Sequence, residues 1–299
     1  MEEIEFDKME GIKELKLLYS KFLKLSKQII DKQSLAFIPL QIDGGLEPSH
    51  DDIANDYIYF CFAKFTKTSL AIEKLFNAGF YEDALILTRS NYESYIYAKA
   101  VTNDPDLIYQ LVDFRLGLIG ERDFKWKDQR KRLIVSTSDP KEVHYYIDKV
   151  WTIAKTANEE FTYRMIYKYL CQISHCDFLT LGYYQDCETY TYKAKSIQAF
   201  LNVLIWNNYF SIKFLPILIN NTYFDTNELI SAVDNQVIEG CNIMSSIFEN
   251  EIGFLEIALA EIDNDPTELK KHIEDLKCLR ENVVDTKKGI LTQKRPIYD

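Results

Sequence analysis

Residues that interrupt regular structure are scarce in this chain. Its 299 residues include only 10 glycines and 7 prolines, about 6% together where average usage is roughly 12%. That scarcity excludes collagen-like and low-complexity chains and leaves room for long helices. There are 6 cysteines, and they form no repeated Cys-x-x-Cys, so a disulfide scaffold is not expected. No secretory leader is expected either. The opening Met-Glu-Glu-Ile-Glu-Phe-Asp is acidic where a signal needs basic residues, and no apolar run follows, so a cytoplasmic location is expected. The most apolar window, 196–219, is broken by Asn202, Asn207, Asn208, Lys213 and Pro216. Each of these is costly in hydrocarbon, so the window reads as a buried core helix and no membrane is expected as a partner.

Positive charge is also short. The chain carries 46 acidic and 35 basic residues, a net charge of −11, and repels polyanions at long range. Any nucleic-acid contact would therefore need a local basic patch. Several catalytic templates are absent: the Gly-x-x-x-x-Gly-Lys phosphate loop, the Gly-x-Gly-x-x-Gly turn, the Gly-x-Ser-x-Gly elbow and the His-Glu-x-x-His zinc helix. Accordingly, no cofactor is expected. A di-iron bundle needs two inward-facing Glu-x-x-His pairs, and the one match, Glu47-Pro48-Ser49-His50, falls in an expected linker. Cys171, His175, Cys176 and Cys187 lie close in sequence but lack the paired spacing of zinc fingers, and no metal is assigned to them.

Against these absences stand 47% hydrophobic residues with 20 Tyr, 18 Phe and 3 Trp, enough for a thick interior with many hydroxyls to satisfy. Asp104-Pro105, Asp139-Pro140 and Asp265-Pro266 each place a capping carboxylate before a proline suited to a first helical turn. Glu142 and Glu268 complete two of these as capping boxes, and Ser49 with Asp51 and Asp52 marks a further start. The pattern predicts an all-α multi-helix bundle. Its helices are expected near 8–31, 52–78, 81–101, 105–133, 140–155, 159–180, 192–219, 227–250 and 266–287, with no strand pair. Gly79-Phe80 makes the second and third helices antiparallel neighbours. Three regions are expected: an N-terminal helix and linker (1–48), a core bundle (49–222), and C-terminal helices with a short tail (223–299).

Two places do not fit a plain core. In the third helix Leu85, Ile86, Tyr92, Ile96, Tyr97 and Ala100 form an apolar face, and helical spacing sets Arg89 and Glu93 in its middle. Burying charges costs several kcal/mol unless they are paired, so this pair has either an architectural or a functional role. Around 159–180, Arg164, Lys168, Cys171 and His175 fall along one line beside an apolar face of Ile166, Tyr169, Leu170 and Ile173. His175 could act as a general acid or base, with Tyr167 or Tyr169 hydroxyls and Arg89 or Lys168 to hold an anion.

The segment Ala78-Gly-Phe-Tyr-Glu-Asp-Ala-Leu-Ile-Leu-Thr-Arg-Ser-Asn-Tyr-Glu93, followed by Tyr167-Lys-Tyr-Leu-Cys-Gln-Ile-Ser-His175, resembles a bacterial all-helical family known as domain of unknown function 5677. Arg89, Glu93, Tyr167 and His175 match its pattern, with Cys171 where a serine is usual. The layout is also similar to the HEPN ribonucleases, helical bundles that include toxins and phage-defence effectors and act as dimers. That resemblance implies a metal-independent ribonuclease in which His175 moves the proton, Arg89 and Lys168 stabilise the phosphate, and Glu93 orients Arg89. Lys168 stands six residues before His175 where the HEPN pattern has arginine. The competing reading is a non-enzymatic interaction or ligand-sensing module with Arg89, Glu93 and His175 as a buried polar lock. The expected partners are a second copy of the chain, RNA at a local basic groove, or a protein bound through the C-terminal helix.

Overall fold

The computed structural model describes residues 11–32, 49–111, 124–126, 133–136, 143–145, 150–175, 178–186, 189–191, 196–219, 227–260 and 266–292. It is an all-α multi-helix packing with two small antiparallel sheets. The chain order is α1 (Ile12–Lys32), α2 (His50–Asn77), α3 (Tyr81–Asn103), β1 (Phe124–Trp126), β2 (Leu133–Ser136), β3 (Val143–Tyr145), α4 (Val150–Thr156) and α5 (Glu160–Thr162). A π-helical turn (Tyr163–Tyr167) leads into α6 (Lys168–Ile173), followed by a 3-10 segment (Phe178–Tyr184), β4 (Gln185–Asp186), β5 (Thr189–Tyr190), α7 (Ile197–Ile219), α8 (Asn227–Ala260) and α9 (Thr267–Thr292).

Local chemistry explains the main boundaries. Ser49 and Asp52 cap α2 reciprocally: the Asp52 amide donates to Ser49 Oγ at 3.2 Å and the Ser49 amide to Asp52 Oδ2 at 3.1 Å. This satisfies donors that a helix start leaves free. At the other end Gly79 takes φ of +84°, and Phe80 N–H reaches back to the Leu75 carbonyl at 2.9 Å, a glycine-dependent termination. The expected helices at 105–133 and 140–155 are corrected. Helix does begin at Leu107, but β1, β2 and β3 occupy parts of both spans, pairing Lys125 with Val135 and Ile134 with His144. The run Leu133-Ile-Val-Ser136 is β-branched at its centre and packs well on a pleated ladder, which outweighs the capping signal at Asp139-Pro140. The expected helix at 159–180 is broken into α5, the π turn, α6 and the 3-10 segment, and α8 runs ten residues past its expected end. The expected linker through Phe37, Pro39, Gly44, Gly45 and Pro48 lies outside the described residues.

The contacts divide the chain into two units, interleaved in sequence. The first takes residues 1–34, 65–92 and 165–299, and the second takes 35–64 and 93–164. In the first, α1, α7, α8 and α9 pack together around Phe22, Val203, Phe210, Ile212, Phe214, Val237 and Met244, all 2% exposed or less. Gly240 marks the closest approach: a Cβ there would lie 2.8 Å from Phe22 Cζ and 3.0 Å from Ile212 Cγ1. The asparagines of α7 are bonded inside this core. Asn207 Oδ1 accepts from Asn91 Nδ2 at 2.8 Å, and Asn207 Nδ2 donates to Thr88 Oγ1 and to the Val203 carbonyl, each at 2.8 Å. Asn91 Nδ2 also donates to Ser69 Oγ, Tyr19 OH to the Ser69 carbonyl, and Asn208 Nδ2 to the Leu15 carbonyl. These bonds tie α1, α2, α3 and α7, and they explain how amides costly in a bilayer are tolerated here.

In the second unit the buried Glu159 carboxylate accepts bonds from the Tyr95 hydroxyl, the Lys99 ammonium and Thr162 Oγ1. A charge at that depth is held by an ion pair with hydrogen bonds around it. Asn158, just before it, adopts φ of +55°, a left-handed turn that asparagine tolerates.

Candidate functional site

Arg89 lies mid-way along α3 in the first unit, half-buried as its place on the apolar face requires. Its guanidinium donates from Nη1 to Ser174 Oγ and from Nη2 to the Tyr167 hydroxyl, each at 3.0 Å. Its central carbon stands 5.1 Å from the centre of the Tyr167 ring, close enough for a cation–π attraction. Tyr167 is buried and leans on Tyr92, ring centres 5.3 Å apart, and Tyr92 in turn packs on Phe210 at 5.5 Å. Ser174 Oγ also donates to the Cys171 carbonyl at 2.8 Å, so its hydroxyl is fixed from both sides. The guanidinium is thus held by a buried aromatic and an oriented hydroxyl.

The π turn delivers Tyr167 to this place. One wide turn inserts an extra residue into the ladder. Downstream, Leu170 and Ile173 are buried while Lys168 and His175 are exposed. The line of Arg164, Lys168, Cys171 and His175 is the outward side of the segment, with Arg164, Lys168 and His175 exposed and Cys171 half-buried. His175 follows Ser174 at the end of α6, where its N–H bonds the Gln172 carbonyl at 3.2 Å.

Of the five expected site residues, the structure joins Arg89 and Tyr167 directly. It sets His175 one residue beyond the serine that Arg89 grips, and it leaves Lys168 exposed next to Tyr167. Glu93 is half-buried one turn along α3, among the residues of the second unit. The expectation that His175 shares a buried lock is corrected: its side chain is exposed, because α6 ends there and turns it outward. Ser174 was missed. A serine before a histidine carries no signal until the helix end puts its hydroxyl opposite Arg89.

A second polar cluster of the first unit also went unread. Glu82, in the first turn of α3, is 5% exposed, and its carboxyl takes N–H bonds from its own backbone and from Ser196. Ser196 caps α7 through Oγ to the Ala199 amide. Burial pushes the Glu82 carboxyl above the ordinary carboxylate range, with Asp83 adding to the rise. Among the described residues its Oε1 has no hydrogen-bond partner. Tyr169 OH lies 2.8 Å from Tyr183 OH and accepts from Asn202 Nδ2 at 2.8 Å. Burial raises the Tyr169 hydroxyl, helped by Tyr183 and by the charge of Glu82. In sequence Glu82 reads as an ordinary acid complementing a helix N-terminus.

Among the described residues no group of three or more His, Cys, Asp and Glu could hold a metal ion, and no helix is long and apolar enough to cross a membrane. In comparisons with known proteins, residues 55–192 match the model of a family of unknown function (DUF5677). No curated protein and no solved structure matches the chain.

Proposed function

We propose, from the site within residues 55–192, the span that matches the model of a family of unknown function, that the protein is a metal-independent ribonuclease. The observation that carries this reading is the pairing of a guanidinium fixed by Tyr167 and Ser174 with an exposed imidazole on the very next residue, His175. A pre-oriented cation stabilises a developing oxyanion without reorganising during the reaction. An exposed imidazole reaches substrate and can take up and return a proton there. In the reaction, His175 accepts the ribose 2′-hydroxyl proton as the 2′-oxygen bonds to phosphorus. The bond from phosphorus to the 5′-oxygen then breaks, and the imidazolium returns the proton to that oxygen. The products are a 2′,3′-cyclic phosphate and a 5′-hydroxyl. Arg89 stabilises the negative charge on the equatorial oxygens of the pentavalent phosphorus, and exposed Lys168 adds a second cation. Tyr167 and Ser174 are positioning residues acting through Arg89.

One observation favours a second reading, a non-enzymatic interaction module. Both of these Arg89 bonds end on groups of its own chain, one of them a buried tyrosine, as a structural lock requires. Incubating total RNA and labelled transfer RNA with wild type and His175→Ala in the presence of a chelator separates the two. Cleavage by wild type alone, with both proteins melting together because His175 is exposed, supports the ribonuclease. Inactivity of both refutes it for these substrates and leaves the module.

A further inference from the structure

The charge of α1 is opposite to that of the chain. Its residues include Lys13, Lys16, Lys21, Lys24, Lys27 and Lys32 against only Glu14 and Asp31, in a protein of net charge −11. Lys21 is engaged by Glu239 of α8 at 2.6 Å. At about 100° per residue, Lys13, Lys16, Lys24 and Lys27 fall within about 80° of the helix circumference, in a row about 21 Å long. Lys13, Lys24 and Lys27 are exposed, and half-buried Lys16 has its ammonium 5.8 Å from the centre of the Phe76 ring. Ile12, Leu15, Leu18, Phe22, Leu25 and Ile29 on the other side of α1 are buried. The lysine row, with Asp31 one turn beyond Lys27 in the same arc and exposed Leu17 beside it, is therefore the face the helix offers to solvent.

We infer that this row is a docking face for the phosphate backbone of RNA, an inference that takes its ligand from the ribonuclease reading above. Three features favour that occupant. An acidic protein repels a polyanion unless it carries a local row of cations, and α1 supplies one. The row is made of lysines without arginine, flexible point charges that grip phosphate and read no sequence. Its apolar side is already buried in the core, so α1 has no hydrophobic face to insert into a bilayer. The row lies away from the Arg89 cluster. On α3, Asn91 bonds Ser69, whose carbonyl accepts from Tyr19 of α1, whereas Arg89 turns to Tyr167 and Ser174. The face thus retains a strand at a distance from the bond that is cut.

The test measures binding of fluorescently labelled transfer RNA, in chelator and over a range of salt, to His175→Ala protein with and without Lys24→Glu and Lys27→Glu. Both lysines are exposed, and circular dichroism checks that the fold is kept. The expected result is about ten-fold weaker binding for the charge-reversed protein, with a salt dependence flatter by about 1.4 log units per log unit of salt, two contacts at about 0.7 each. Unchanged binding overturns the docking face even if wild type cleaves RNA. Binding lost on reversal, with no cleavage by wild type, keeps the face and refutes the nuclease. Failure of any form to bind RNA, or a change confined to self-association in sedimentation or to binding of anionic vesicles, also overturns the face.

Discussion

Gly240→Ala tests the packing of α1, α7 and α8 at their closest point. The new Cβ would lie 2.8 Å from Phe22 Cζ and 3.0 and 3.1 Å from Ile212 Cγ1 and Cδ1. Both neighbours are buried, Phe22 1% and Ile212 0% exposed, so each shifts only against the surrounding core. Overpacking of this kind costs about 2–3 kcal/mol, and the better helix propensity of alanine returns about 1 kcal/mol, so the variant should lose about 1–2 kcal/mol. Gly253 on the same helix has nothing within 4 Å of its ideal Cβ. There alanine keeps only the propensity gain and should add about 0.5–1 kcal/mol. Urea unfolding followed by circular dichroism would show the two midpoints moving in opposite directions. Adding Phe22→Leu to Gly240→Ala removes the nearest atom, so the two changes should cost less together than their sum. A Gly240→Ala protein as stable as wild type, or no coupling to Phe22→Leu, would refute the reasoning.

The remaining expectations concern polar groups. Glu82 binds its proton more tightly folded than unfolded, so its contribution to stability is complete below the ordinary value of 4.5 and is lost as pH rises through the raised folded value. Glu82→Gln should match wild type at acid pH and gain on it toward neutrality, read from melting temperatures across pH; an advantage that shrinks with rising pH would contradict the assignment. Asn207→Ala takes one hydrogen bond each from Asn91 and Thr88, which keep Ser69 and the Ala84 carbonyl as partners, and should cost about 1–3 kcal/mol in denaturant midpoint, so a change under about 1 kcal/mol would show that water replaces the amide. Ser174→Ala removes a hydroxyl that holds half-buried Arg89, and about 1 kcal/mol of stability with it. If the ribonuclease reading holds, its kcat should fall with KM little changed.

The amphipathic helices were legible because each buries one face, and α1, α2, α3, α7 and α9 start or stop close to their periodic signals. Asp265-Pro266 announced α9, with Lys270 N–H bonding the Pro266 carbonyl at 2.9 Å. The same dipeptide at Asp139-Pro140 misled, because a local cap signal says nothing of whether the flanking residues find a strand partner. The π turn was invisible for a related reason. Periodicity assumes a constant advance per residue, and a single wide turn leaves no trace in composition. At the site, the oddity of Arg89 on an apolar face was readable from spacing alone. Its partners were only partly so, because Ser174 becomes relevant through a contact 85 residues distant in sequence.

The interleaving of the two units also bears on synthesis. The buried side of α1 is closed by α7 and α8, yet α7 begins at Ile197, 165 residues after α1 ends at Lys32. At about 5–20 residues per second the nascent α1 waits on the order of 10–30 s before its partners leave the ribosome. Phe22, Leu25 and Ile29 must spend that interval against a chaperone, against provisional neighbours or in water. A chain cut before Ile197 would make the wait permanent, so such fragments should be recovered as aggregates.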